Sequence, residues 1–315
     1  MSSEKPRLVI VVGPTAAGKS AAALALAERF GGEIVACDSM QVYRGFDIGT
    51  DKPPADDRRR VPHHLVDVAD PRTQFTAAEF AGRALEAFAA IRSRGRLPIV
   101  AGGTGLYLKA LLDGLFPGPG RDPDLRRALE GEAAERGTPA LHEKLKAADP
   151  EYAAVVGPND KVRIVRALEV LALTGIPLSG HFRRTRGRLE GWRVLRLGLE
   201  RPRPELRARI EDRVDRMFAA GLVAEVERLL ASGVPAEAPA FKGLGYRHVL
   251  GHLRGEADLA ETILRTKIDT RRYAKRQMTW FRRTPEVAWL PAGDREAILA
   301  AAGAWLATEE EETAS

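Results

Sequence analysis

Eight consecutive residues near the N-terminus, Gly13-Pro14-Thr15-Ala16-Ala17-Gly18-Lys19-Ser20, fit the spacing G-x-x-x-x-G-K-[ST]. That spacing serves anion binding. The glycines let backbone N–H groups turn inward as a nest at a helix N-terminus. Lys19 supplies a point charge for a terminal phosphate, and the Ser20 hydroxyl can ligate Mg²⁺. The motif follows an apolar run directly and opens an Ala/Leu-rich stretch, the strand-to-helix context it needs. Such loops mostly hold nucleoside triphosphates, so a kinase is the first reading. A kinase, however, ends a second core strand in an acid that holds Mg²⁺. Here residues 97–101 run into Gly102-Gly103-Thr104-Gly105 with no carboxylate. Residues 33–37 do end in Asp38, which leaves a metal role open for that residue beside the plainer one of capping a turn.

The elements that must position these groups follow from hydrophobic periodicity. Residues 8–12 form a continuous apolar run, the pattern of a buried parallel strand. Residues 20–30 read as a helix and 33–37 as a second strand. Residues 76–94 form a long helix with Thr76 at the N-cap and Glu79 three positions on, a capping box. Residues 97–101 are a third strand and 105–112 a further helix. This alternation predicts an α/β fold with a parallel sheet, and puts Asp38 at the C-terminal end of a strand adjoining the P-loop strand, where such sheets bind ligands. At FPGPGRDP (116–123) the pattern changes. Segments 124–136, 140–148 and 161–174 read as helices between Pro/Gly breaks, so 118–190 is expected to be a helical insertion with a basic loop at 181–188. Residues 192–199 alternate like a strand returning to the sheet, and 287–290 form a last short strand among further helices. The chain then divides into a core of 1–117 with 191–315 and an insertion of 118–190.

Composition narrows the function classes. The 315 residues carry 49 Lys+Arg against 43 Asp+Glu, and 39 of the 49 are Arg. Guanidinium forks match phosphate oxygens, so the excess fits a phosphate-rich partner as well as ordinary solvated helix faces. Residues 265–283 hold eight basic groups and one acid, Asp269, interleaved with Tyr273, Trp280 and Phe281. The acidic run 309–312 reads as a solvated terminus. A single cysteine, Cys37, excludes an internal disulfide framework and multi-Cys metal sites. No run of about 18 apolar residues exists to span a membrane, and residues 1–7 do not read as a secretory signal. A cytoplasmic protein is expected.

From Asp38 onward the chain reads DSMQVYRGFDIGTDKP, which closely resembles the signature of the tRNA dimethylallyltransferases (tRNA isopentenyltransferases). GPTAAGKS, PHHLVDVADP, LPIVAGGTGLYLKALLDGL, NDKVRIVRALEV, FKGLGYR and TRRYAKRQMTWFRR resemble further family motifs, in the family's order across residues 8–290. Two positions depart from the pattern. Ala17 stands where a hydroxyl residue is often seen, and Ser20 where Thr is common, which keeps the metal-ligating oxygen. The zinc finger of eukaryotic members is missing, so the resemblance is to the bacterial type.

The resemblance implies a P-loop NTPase-like parallel-sheet core with a mainly helical insertion domain. It also implies transfer of a dimethylallyl group from dimethylallyl diphosphate to N6 of the adenosine 3′-adjacent to the anticodon in tRNA. Gly13, Pro14, Thr15, Ala16, Ala17, Gly18, Lys19 and Ser20 would then hold a diphosphate that leaves, with Mg²⁺ on Ser20 and Arg213 stabilising the departing charge. Asp38 would be the base, since an adenine amine is a weak nucleophile that must lose a proton, and Thr104 would hydrogen-bond near that amine. Asp38, Ser39, Met40 and Gln41 would line the pocket of the extruded base. Arg126, Arg163 and Arg166 would touch the anticodon arm. Lys242, Gly245, Tyr246 and Arg247 would contact RNA, with Tyr246 as a stacking partner. The expected state is a monomer. Two other readings stay open: a small-molecule or nucleotide kinase, which needs ATP turnover, and an RNA-binding module with a degenerate P-loop, whose function survives Asp38→Asn and Lys19→Ala.

Overall fold

The apolar run that opens the chain becomes the middle of a sheet. The computed structural model describes residues 5–116, 118–185 and 187–308, and the expected acidic terminus at 309–312 lies outside them. Strand β1 (Arg7–Val12) is buried from Leu8 onward. A strand covered on both faces has no use for polar alternation. Each of its fully buried branched side chains contributes about 1.5–3 kcal/mol of transfer free energy.

The chain forms two compact units: residues 1–108 with 191–315, and residues 109–190. In the first, β1 leads through the glycine-rich loop into α1 (Lys19–Phe30), then β2 (Gly32–Cys37), α2 (Ala55–Arg60), β3 (His63–His64), α3 (Ala77–Ser93), β4 (Leu97–Gly102) and the start of α4 (Gly105–Leu112). The second unit contains α5 (Pro123–Arg136), α6 (Thr138–Ala148), α7 (Pro150–Ala153), α8 (Lys161–Thr174) and α9 (Leu178–Arg184). The first unit resumes with β5 (Arg193–Glu200), α10 (Arg203–Ala219), α11 (Leu222–Ala231), α12 (Leu244–Leu253), α13 (Leu259–Phe281), β6 (Val287–Pro291) and α14 (Arg295–Ala307).

The six strands run in the order β3-β2-β4-β1-β5-β6, every pair parallel. Here one expectation is corrected. β4 lies between β1 and β2, so Asp38 ends a strand two places from the P-loop strand, not the adjoining one. The acid-free Gly102-Gly103-Thr104 turn therefore separates the anion loop from Asp38. A hydrophobic pattern marks strands but carries no information on their lateral order.

The core of this unit packs Val9, Val11, Leu26, Ile34, Ile99, Leu197 and Leu199 against Ile298 and Ala302 of α14. Thr76 and Glu79 form the expected reciprocal capping box on α3. The second unit has its own core of Leu141, Leu145, Ile164, Val165 and Val170. It spans Lys109–Glu190 and so takes in the last turn of α4, against an expected span of 118–190. Part of the expected basic loop is helical: α9 runs to Arg184, with His181 stacked on Phe116 at 3.7 Å. Arg186 of that loop lies outside the described residues.

Candidate active site

The anion loop is shaped by its own glycines and held by arginines from behind. Gly13 has φ 147, and a Cβ there would sit 2.6 Å from the Leu199 carbonyl oxygen, so only glycine lets β1 turn this close to β5. Gly18 is left-handed at φ 107 and directly precedes α1. The first N–H groups of α1 have no partner within the helix and offer an anion nest. Three guanidiniums fix the loop's outer side. Arg201 Nε donates to the Ala17 carbonyl at 2.8 Å and Arg209 Nε to the Ala16 carbonyl at 2.9 Å. Arg213 donates to Thr15 Oγ1 at 3.0 Å and pairs with Asp51 at 3.4 Å. With its carbonyls engaged outward, the loop keeps its remaining amides for a ligand.

Lys19 donates to the Pro14 carbonyl at 2.7 Å. Burial, and next the Arg213 charge beside it, lower its pKa to about 8, against the opposing pull of Asp38. A lysine crowded by another cation and short of water is an unsatisfied charge, and a bound anion relieves it. Ser20 is exposed on the first turn of α1.

Asp38 leaves the end of β2 and folds its carboxylate into a local turn. Oδ1 accepts the Met40 N–H at 2.8 Å and the Gln41 N–H at 3.3 Å. Oδ2 has no hydrogen bond among the described residues. Thr104, at the end of β4, ties the two strand ends together: its Oγ1 accepts the Ser39 N–H at 3.0 Å and its own N–H donates to Cys37 O at 3.2 Å. The Tyr273 hydroxyl of α13 lies beside this cluster, near Thr104 and Asp38; burial first, and the Asp38 charge next, raise its pKa. Cys37 is buried beside Asp38, its thiol directed at the Thr104 carbonyl at 3.8 Å. Burial first, and Asp38 second, push that thiol well above the ordinary cysteine range. In front of Asp38 opens a cavity of ≈ 310 Å³ lined by Thr15, Asp38, Ser39, Met40, Gly49, Thr50, Arg213, Lys242, Gly245, Tyr273 and Arg276. Anion loop, lysine, carboxylate and cavity thus converge at the C-terminal edge of the sheet.

The remaining expected RNA contacts divide. Lys242 is exposed at the cavity rim, and Gly245 is buried at its wall. Gln41 spends both amide hydrogens inside the protein, on the carbonyls of Thr50 at 3.2 Å and Asp51 at 3.1 Å. Tyr246 is corrected outright as a stacking partner. It is 1% exposed, edge-on to Phe241 and packed on Phe46, and its hydroxyl donates to the buried Glu225 carboxylate at 2.5 Å. That carboxylate also accepts the N–H groups of Asp47 and Ile48. Tyr246 therefore braces the 46–50 segment, with no face free for a base. Arg247 pairs with Asp269. Within the second unit, Arg126 and Arg166 flank the fully buried Glu169, and Arg166 also donates to the Pro119 carbonyl at 2.9 Å. Arg163 is 59% exposed and paired with Asp160.

Three site residues escape a reading of the sequence: Arg201, Arg209 and Gln277. Arg209 stands one helical turn before Arg213, a faint signal that both face the same loop. Gln277 is a lone amide in a strongly basic helix and carries no signal of its own.

The IPP transferase family model matches residues 41–284 and the isopentenyl transferase model residues 6–67. The chain is 55% identical to a tRNA dimethylallyltransferase of Geobacter metallireducens over 91% of this chain and 93% of that protein. It is 52% identical to the one of Anaeromyxobacter dehalogenans, over 93% and 97%. Among solved structures, the tRNA isopentenylpyrophosphate transferase of Bacillus halodurans is similar, with TM-score 0.71 and 39% identity over 96% of this chain and 97% of that one. A eukaryotic dimethylallyltransferase acting on tRNA gives TM-score 0.76 and 29% identity, over 91% and 74%. The motifs, the parallel sheet with its anion loop, and these matches together establish that the chain belongs to the IPP transferase family.

Proposed function

We propose that this chain is a tRNA dimethylallyltransferase: it moves a dimethylallyl group from dimethylallyl diphosphate to N6 of the adenosine 3′-adjacent to the anticodon and releases diphosphate. The observation that carries the reading is the pairing of an anion loop with a carboxylate across a base-sized cavity, the strand between them, β4, ending in glycine with no acid of its own. The diphosphate sits on the loop amides, Lys19 and Arg213. The adenine enters the cavity with its amine at Asp38. As the N6 lone pair forms its bond to the allylic carbon, the carbon–oxygen bond to diphosphate breaks, and Asp38 accepts the N6 proton. Lys19, the α1 N-terminus and Arg213 stabilise the charge gathering on the leaving oxygens. Thr104 holds the strand end that carries Asp38, and Tyr273 lines the cavity beside it.

Among the described residues no cluster of three or more His, Cys, Asp or Glu is arranged for a metal. Ser20, exposed on the first turn of α1, would hold Mg²⁺ through its hydroxyl oxygen, in keeping with an ion that takes few protein ligands beside a phosphate group. Bound there, the ion would neutralise charge on the leaving group. Among the described residues no helix is long and apolar enough to cross a membrane. We infer an enzyme that acts on tRNA as a monomer and, from that substrate, in the cytoplasm. The second unit, with Arg163 exposed, reaches for the anticodon arm. The test is incubation with unmodified tRNA, Mg²⁺ and dimethylallyl diphosphate, followed by nucleoside mass measurement. Prenylated adenosine is expected; its absence, with ATP-dependent phosphorylation of another molecule, supports a kinase.

A further inference from the structure

Gln277 is 6% exposed on α13, and its side chain joins two loops that are distant in sequence. Its Oε1 accepts the Thr15 N–H of the anion loop at 2.8 Å. Its Nε2 donates to the Gly103 carbonyl, at the end of β4, also at 2.8 Å. The two partners fix the amide's orientation, because the flipped form would set donor against donor and acceptor against acceptor. Gly103 is shaped to receive it: a Cβ there would lie 2.2 Å from Nε2 and 3.7 Å from Lys19 Nζ. One helical turn earlier on the same face stands Tyr273, which meets Thr104 at the nucleobase cavity, and Arg276 borders that cavity too. A single rigid helix therefore touches the base pocket through one turn and the anion loop through the next.

We propose that Gln277 is a positioning residue that couples the two substrate sites: a base seated against α13 sets the anion loop through the Gln277 bridge to Thr15 and Gly103. This rests on the reading of the loop as a diphosphate site. Without the bridge, the Thr15 and Gly103 backbone groups lose their fixed partner, and the loop no longer senses α13. Binding linkage is reciprocal, so diphosphate tightens RNA by the same factor that RNA tightens diphosphate.

The test titrates inorganic diphosphate into the full chain with and without an anticodon stem-loop RNA, for wild type, Gln277→Met and Gly103→Ala. The wild type is expected to bind diphosphate roughly tenfold tighter when RNA is present, within the usual range of coupling. Gln277→Met, of similar volume but with neither hydrogen bond, loses that gain and binds diphosphate alone roughly tenfold more weakly. Gly103→Ala displaces the amide from the other side and gives the same loss of coupling, so it carries the test if Gln277→Met does not fold. The double variant is no worse than either single one, because both break one bridge. A purely structural Gln277 would lower the melting temperature and leave the RNA-induced gain intact; that result overturns the proposal. Absence of coupling in the wild type also overturns it, and absence of any diphosphate binding overturns the loop assignment beneath it.

Discussion

Replacing Tyr246 by Phe separates a buried brace from an RNA-stacking ring, because phenylalanine keeps the ring and discards only the hydroxyl. That hydroxyl donates to Glu225 Oε1 at 2.5 Å and accepts the Gly49 N–H at 3.1 Å. Glu225 retains the Ile48 N–H at 2.9 Å, so the carboxylate stays partly satisfied. A hydrogen bond to a charged group contributes about 1.5–3 kcal/mol, and Gly49 N–H is left with a strained 3.5 Å contact to the same carboxylate. The net cost is about 2 kcal/mol, or a melting-temperature drop on the order of 4 °C for a chain of this size. Gly49 and Thr50 line the cavity, so KM for tRNA rises a few-fold as their segment loosens. Urea denaturation and steady-state prenylation of tRNA measure the two effects. A stacking tyrosine would behave otherwise: Tyr246→Phe would match wild type in both assays while Tyr246→Leu lost RNA affinity. That pattern would refute the buried brace.

Asp38→Asn is expected to lower transfer by about 10²–10⁴-fold while direct binding of the anticodon stem-loop stays within twofold, because the amide keeps the turn and loses the base; an equal loss of binding would show that Asp38 holds RNA instead. Lys19 has its pKa lowered to about 8 in the free protein, and a bound anion raises that value, so the Lys19 contribution to diphosphate affinity, read as wild type against Lys19→Met, is constant below about 8 and falls as pH rises through it. Calorimetry in two buffers of different ionisation heat should then record more proton uptake on binding above pH 8 for wild type than for Lys19→Met, the diphosphate's own titration being common to both, and no difference would mean the lysine stays charged throughout. Glu169 is pushed up by burial but held below the usual carboxylate value by Arg166, the Asp122 N–H and Arg126. Glu169→Gln should therefore destabilise the second unit by about 3–5 kcal/mol at neutral pH. The gap to wild type should close as pH falls below 4.5 through the depressed folded value, and diphosphate binding should not change.

Local chemistry was readable in the chain and lateral chemistry was not. The apolar run before Gly13, the Thr76–Glu79 box and the 161–174 helix each announce themselves within a few residues, because period and capping are near-neighbour effects. The two-residue strand His63–His64 is too short to alternate. The interposition of β4 between β1 and β2 depends on packing across the sheet, which no local pattern encodes. Arginine shows the same limit. Arg163 and Arg166 look alike in NDKVRIVRALEV, yet one is exposed and the other clamps Glu169, whose own burial is invisible from a single heptad. Tyr246 misled for a related reason: aromatic rings beside lysine and arginine suit RNA, but the buried carboxylate that recruits its hydroxyl comes from α11, over twenty residues away. Gln277 could be found only once both of its partners stood in space.

The buried thiol next to Asp38 bears on self-protection. An allylic diphosphate that ionises is a strong alkylating agent, and the softest nucleophile nearby is a cysteine one residue from the proposed base. Thiolate sulfur would compete well against a delocalised adenine amine. Burial and the neighbouring Asp38 charge keep Cys37 protonated, and its Sγ is turned to the Thr104 carbonyl, away from attack. The same carboxylate that is proposed to accept a proton from the adenine thus discourages a proton from leaving the sulfur. Selectivity between nucleophiles in this pocket is written as much in what is kept from ionising as in what is bound.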